Sequence, residues 1–74
     1  MFYYRDACQL CEQMLAELHT LYGDRLQLSL VDVDTDPVLQ KRYGLQVPVL
    51  MGGDTVLGVG RLDRSRLEDY LDAH

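Results

Sequence analysis

The sequence carries two cysteines, Cys8 and Cys11, at a point where an aromatic segment gives way to an amphipathic pattern. Residues 1–4 are apolar or aromatic and predict a short strand. The apolar positions after them recur at intervals of three and four, which predicts a helix that begins near Cys8 and turns one side toward a core. These positions are Cys11, Met14, Leu15, Leu18, Leu21 and Tyr22. The fold must therefore place a Cys-x-x-Cys pair where a first strand leads into a first helix.

The middle of the chain predicts a second strand and a second helix. Apolar residues alternate with polar ones from position 26 and continue to position 33, which is typical of a strand. Asp36 then precedes Pro37, the arrangement of a helix cap followed by a proline in the first turn. Gly44 is placed to end this short helix.

The last part of the chain predicts a hairpin and a final helix. Residues 47–51 and 55–59 are typical of strands, and a glycine-rich turn at 52–54 separates them. Asp63 is placed to cap the closing helix. The order is thus β–α–β–α–β–β–α. It predicts one α/β domain over residues 1–74, with a four-stranded mixed sheet flanked by helices.

Size and composition favour a reactive role for the cysteines over a structural one. The chain has 74 residues, 47% of them hydrophobic, so it can bury one small core. A bridge between cysteines three positions apart closes too short a loop to restrain the unfolded chain much. Two cysteines also cannot build the disulfide framework of a secreted domain.

The net charge of the chain disfavours two classes of binding partner. Asp and Glu number 12 against 7 Lys and Arg, and the resulting net charge of -5 disfavours nucleic acid and anionic membrane surfaces. No apolar run reaches the roughly 20 residues of a membrane helix, and residues 1–6 lack the pattern of a signal peptide. We therefore expect a monomeric cytoplasmic protein, in a reducing compartment where paired cysteines serve redox or metal chemistry.

The start of a helix is suited to thiol chemistry. Only a thiolate attacks a disulfide, and a free thiol has a pKa near ~8.5. The unpaired N–H groups of a helix start favour a negative charge by roughly 0.3–1 kcal/mol, and the positive charge of Arg5 can add to this effect. We therefore expect a lowered pKa for Cys8, with Cys8 as the exposed nucleophile and Cys11, on the inward side, as the resolving cysteine.

Other residues near the pair carry weaker signals. Gln9 and Leu10 are uncharged, and Leu10 either contacts a partner or covers the edge of the core. Pro48, at the start of a strand, is either an ordinary trans edge proline or a cis proline. A cis bond would turn the backbone of Val47 outward beside the cysteines, where its N–H and C=O can pair with an extended substrate.

Together with these elements, two phrases resemble the glutaredoxin-like family of small bacterial proteins with the thioredoxin fold. They are Tyr4-Arg5-Asp6-Ala7-Cys8-Gln9-Leu10-Cys11 and Tyr43-Gly44-Leu45-Gln46-Val47-Pro48-Val49-Leu50. The resemblance implies a nucleophilic Cys8, a resolving Cys11 and a cis Pro48. It also implies that the Val47 backbone pairs with the cysteine of glutathione and that Arg5 contacts a glutathione carboxylate. With the intervening pair, the predicted substrate or glutathione site consists of Arg5, Gln9, Leu10, Val47 and Pro48.

The function predicted in this way is thiol–disulfide exchange on protein or glutathione mixed disulfides. No tightly bound cofactor is expected, and glutathione would be a co-substrate. The partner would be glutathione or a disulfide-containing protein. One part of the family pattern is only approximated: Gly58-Val59-Gly60 and Asp63 stand where the family has Gly-Gly followed by Asp at the other end of glutathione.

Two other functions use the same features. A carrier could bind Cu(I), zinc or an iron–sulfur cluster through the two thiolates. Small copper carriers, however, place the hairpin in the middle of the chain, and neither His19 nor His74 completes a zinc spacing, so no metal ligand is assigned. A non-catalytic binding module on the same fold is the second alternative. A redox titration with a measured thiol pKa would separate it from an enzyme.

Overall fold

Strands and helices alternate along the chain as its apolar patterns require. The computed structural model describes residues 1–73, and His74, with the prediction made for it, lies outside them. The strands are β1 (Phe2–Tyr4), β2 (Leu30–Asp32), β3 (Val49–Gly52), β4 (Thr55–Val59) and β5 (Arg61–Leu62). The helices are α1 (Gln9–Tyr22), α2 (Pro37–Tyr43) and α3 (Arg64–Ala73), with 3₁₀ turns at Gly23–Arg25 and Val33–Thr35.

The sheet is mixed, with the strand order β2-β1-β3-β4-β5. β1 and β2 run parallel, while β3 is antiparallel to both β1 and β4. This arrangement confirms the predicted α/β class and the thioredoxin-like order of elements. β5 adds a short fifth strand, which follows Gly60 and pairs antiparallel with β4. Apolar patterning did not predict it, because two residues are too few to show a periodicity.

Helices pack on both faces of the sheet. On one face, α1 and α3 enclose the main core with side chains from β1, β3 and β4. Its buried members are Phe2, Met14, Leu18, Tyr22, Leu50, Leu57 and Leu67. On the other face, the ring of Tyr3 stacks on Tyr43 of α2, with the ring centroids 4.5 Å apart. Neighbouring residues of β1 therefore anchor different helices, as the alternation of a strand requires.

The second strand is shorter than predicted. The alternation predicted a strand from residue 26 to residue 33, but β2 covers only Leu30–Asp32. Leu26 and Leu28 are half-buried and pack against the core. The segment before β2 is linked to β1 by the Phe2 N–H, which donates to the Ser29 carbonyl over 2.8 Å. The prediction was wrong there because the alternating leucines reflect burial against α1. Such burial does not require hydrogen bonds to a neighbouring strand.

Two predicted helix caps are confirmed. Asp36 accepts a hydrogen bond from the Val38 N–H through Oδ1 over 2.9 Å at the start of α2. Asp63 accepts one from the Arg66 N–H over 3.1 Å at the start of α3. Each cap satisfies a backbone donor that the helix leaves unpaired. Within residues 1–73, the helices are too short and too polar to cross a membrane.

Candidate functional site

The chain turns sharply between β1 and α1. Ala7 has a φ of +56°, a left-handed conformation that residues with a Cβ seldom adopt. Cys8 follows with extended angles, φ −106° and ψ 104°, and is the cap residue of α1. The turn at Ala7 thus delivers the first cysteine to the end of the helix where backbone N–H groups have no helical partner.

The sulfur of Cys8 takes the place of a capping oxygen. Its Sγ accepts a hydrogen bond from the Cys11 N–H over 3.2 Å, and its carbonyl accepts one from the Glu12 N–H over 3.1 Å. The Cys8 sulfur therefore lies at the positive end of the α1 dipole, where negative charge is favoured. This is the placement on which the predicted reactivity of Cys8 depends.

Cys8 and Cys11 form a disulfide, with their Cα atoms 5.2 Å apart. Their surroundings differ. Cys11 belongs to the inward stripe of α1 and is only 4% exposed, whereas Cys8 is half-buried at the surface. An incoming molecule can therefore reach the sulfur of Cys8 more readily than that of Cys11.

A cleft of about 180 Å³ opens beside the disulfide, and both cysteines line it. Its floor is apolar and is formed by Phe2, Tyr4, Leu15 and Leu30. Two exposed acidic residues, Asp6 and Glu12, also line the cleft. None of these residues except the cysteines was predicted to belong to the site, since the floor joins residues from three elements that are distant in sequence.

Arg5 lines the same cleft but is engaged by other groups. Its Nη2 lies 3.0 Å from Oδ1 of Asp34, and its Nε donates to Oδ2 over 3.3 Å. Its Nη1 donates to the Gly44 carbonyl over 3.0 Å, and Gln40 donates to the same Asp34 oxygen as Nη2. The carboxylate of Asp34 balances the charge of Arg5, so the predicted help of Arg5 to Cys8 is reduced in this arrangement.

The Val47–Pro48 peptide bond is cis, the geometry that the resemblance implied. Pro48 is buried, and its carbonyl accepts a hydrogen bond from the Gly60 N–H over 2.8 Å. The Val47 N–H donates to the Tyr43 carbonyl over 3.0 Å. A substrate that used the Val47 N–H, as predicted, would have to displace this bond.

The pair between the cysteines is exposed. Gln9 is the first residue of α1, and Leu10 exposes 53% of its surface. Leu10 also lines a small cleft with Met14 and Leu62. Both interpretations of Leu10, a partner contact and a cover for the edge of the core, remain consistent with this position.

The acidic residues at the end of β2 and just after it have structural partners. Asp32 accepts a hydrogen bond from the Asp34 N–H over 2.9 Å, Asp34 pairs with Arg5, and Asp36 caps α2. No group of three or more His, Cys, Asp or Glu side chains in the described part of the chain is arranged to hold a metal ion. Capping explains two of the three residues, whereas the partner of Asp34 had no signal in the sequence.

A strand that leads into a helix capped by the first cysteine of a Cys-x-x-Cys pair, together with a cis proline before β3, defines a thioredoxin-like protein whose site fits a thiol redox role. The chain belongs to the glutaredoxin-like family: the family model described as Glutaredoxin-like domain (DUF836) matches residues 1–72. Comparisons with curated proteins and with solved structures give no significant match.

Proposed function

We propose that the protein is a thiol–disulfide oxidoreductase in which Cys8 attacks and Cys11 resolves. One observation carries the proposal: the Cys8 Sγ accepts the Cys11 N–H over 3.2 Å at a helix start, while Cys11 is 4% exposed behind it. A half-buried sulfur at the positive end of a helix is suited to attack. A buried sulfur one turn later is suited to release what the first has captured.

The reaction begins with the dithiol form of the protein. The Cys8 thiolate attacks one sulfur of a substrate disulfide, whose S–S bond breaks as a bond to Cys8 forms. The other substrate sulfur leaves as a thiolate and takes up a proton, while the attacked sulfur stays bonded to Cys8. Cys11 then loses its proton and attacks the Cys8 sulfur, which releases the second substrate thiolate. The substrate gains two electrons, and the protein loses two and ends as the Cys8–Cys11 disulfide.

Turnover requires a thiol reductant that returns the protein to its dithiol form. Glutathione, or a dithiol of a reductase, is the class of reductant we propose, with no tightly bound cofactor. The substrates are protein disulfides or glutathione mixed disulfides. We place the protein, as a monomer, in the cytoplasm, where the redox poise keeps such a dithiol reduced.

The other predicted residues take supporting roles in this proposal. Val47 and Pro48 would form a ledge for an extended substrate, with Gln9 and Leu10 as further contacts. Because the Val47 N–H is bonded to Tyr43, the ledge gains its donor only when that bond opens. Arg5 would orient a substrate carboxylate only in competition with Asp34.

Single cysteine variants test whether Cys8 attacks and Cys11 resolves. The measurement is turnover of a peptide mixed disulfide with glutathione, with thioredoxin reductase assayed in parallel as the alternative reductant. We expect Cys8→Ser to remove turnover. We expect Cys11→Ser to accumulate a covalent complex between Cys8 and the substrate, visible by mass spectrometry, or to keep turnover only with glutathione. Equal and mild effects of the two substitutions would contradict the proposal.

A further inference from the structure

The cleft beside the disulfide continues into a second cleft along the edge of the sheet. The second cleft, of about 200 Å³, shares Leu15 and Leu30 with the first and extends to Gly23 at the end of α1. The combined groove therefore follows α1 from its cap residue, Cys8, to Gly23 just after its end. At 1.5 Å per residue this is about 20 Å, the length of roughly six extended residues.

The groove has an apolar surface that the protein itself does not cover. Leu30 is the register partner of Phe2 in the neighbouring parallel strand, and Phe2 is 1% exposed. Leu30 nevertheless remains 52% exposed, because β2 is the edge strand of the sheet and α1 covers only its inner side. The outer backbone edge of β2 has no neighbouring strand among residues 1–73, and such an edge can pair with an added extended segment.

The charges at the disulfide end of the groove favour one kind of ligand over another. Asp6 and Glu12 are exposed there, while the nearby cation, Arg5, is neutralised by Asp34. Glutathione carries a net negative charge at neutral pH and spans only three residues. A longer segment with apolar and basic side chains matches the length, the apolar floor and the acidic end.

We propose that this groove, which Val47 and Pro48 do not line, binds a further extended segment of the substrate polypeptide, apolar and basic in character, next to the disulfide that Cys8 attacks. The inference rests on the proposed oxidoreductase function and names its substrate class. An apolar side chain of the segment covers Leu30 and Leu15, and a lysine or arginine lies near Asp6 and Glu12. The electron transfer is the exchange already described, with the polypeptide disulfide reduced to two thiols.

The test uses the reduced full chain and symmetrical disulfides of blocked heptapeptides with a central cysteine. One peptide has leucine and lysine on both sides of the cysteine, one has leucine and glutamate, and one has serine and lysine. Glutathione disulfide is the fourth substrate. The rate of protein oxidation in a single turnover is followed by acid quenching, alkylation and mass spectrometry.

We expect the leucine–lysine peptide to react about tenfold faster than the serine–lysine peptide, the effect of burying part of one apolar side chain. It should also react faster than the leucine–glutamate peptide and glutathione disulfide, whose negative charges Asp6 and Glu12 repel. Leu30→Glu places a charge on the groove floor at a half-exposed position and should reduce the preference over the serine–lysine peptide to less than about twofold. Val38→Glu is the matched control, since Val38 is 71% exposed on α2 and does not line the groove. It should keep the full preference.

Four results would overturn the inference. If all four disulfides react at equal rates, or if Leu30→Glu keeps the preference, the groove does not bind the substrate, although the oxidoreductase function stands. If the wild type sediments as a dimer that Leu30→Glu dissociates, a second copy of the chain occupies the groove instead. If no disulfide reacts with the reduced protein, the proposed function fails, and the inference fails with it.

Discussion

The three helices begin in the same way but with different atoms. Asp36 and Asp63 each accept a backbone N–H of the first turn through a carboxylate oxygen, over 2.9 and 3.1 Å. Cys8 accepts the Cys11 N–H through sulfur, over 3.2 Å. Aspartate is among the best capping residues, whereas sulfur is a weak acceptor. The first helix therefore has a poorer cap than the other two.

The difference separates stability from reactivity. A carboxylate at the start of α1 would cap the helix better but could not attack a disulfide. The strained turn at Ala7, with φ +56°, and the weak sulfur cap occur next to each other, and both lower stability to place one sulfur at the helix start. Such local losses of stability are typical of functional sites.

The largest expected effect comes from exchanging the capping sulfur for oxygen. Cys8→Ser should abolish disulfide reduction while it preserves or improves the helix cap. We expect its free energy of unfolding to equal that of the reduced wild type or to exceed it by up to about 1 kcal/mol, since serine is a preferred cap. Urea denaturation under reducing conditions measures this difference.

Asp36→Ala is the matched change at an ordinary cap. It should lower the free energy of unfolding by about 1 kcal/mol, the usual loss for such a position, with little change in the rate of disulfide reduction. If Asp36→Ala instead impaired the reaction as much as Cys8→Ser, or if Cys8→Ser destabilised the reduced protein more than Asp36→Ala, the contrast between the two caps would be wrong.

The smallest expected effect distinguishes the contribution of the helix start to the reactivity of Cys8 from the contribution of Arg5. Asp34→Asn removes the carboxylate partner of Arg5, whose pair with Asp34 is about one-third exposed on each side. We expect a loss of about 0.2–1 kcal/mol in the free energy of unfolding, the range of exposed ion pairs. The alkylation rate of Cys8 should rise less than about threefold, because the helix N–H groups stay in place. A rise far beyond that would assign the reactivity of Cys8 to Arg5.

Local patterns predicted what local contacts determine. The Asp36 and Asp63 caps, the stripe of α1 and the order of the elements follow from spacing within a few residues. The structure agrees with them except at Leu21, a predicted member of the stripe that is 40% exposed. The family resemblance supplied the cis Pro48, which the residues alone left open.

Contacts between distant segments could not be predicted in this way. Arg5 and Asp34 are 29 positions apart, and nothing near either residue indicates the pair. The bond from the Val47 N–H to Tyr43 and the groove between α1 and β2 depend on how the elements pack. The leucines before β2 predicted a strand because burial and strand pairing produce the same alternation.

The most direct test of the central claim is the pH dependence of alkylation of the reduced protein, with each modified cysteine identified by mass spectrometry. An ordinary thiol has a pKa of about 8.5. We expect Cys8 to react first, with a pKa below that value, and Cys11 to react only slowly. A pKa for Cys8 at or above the ordinary value, or faster modification of Cys11, would contradict the account.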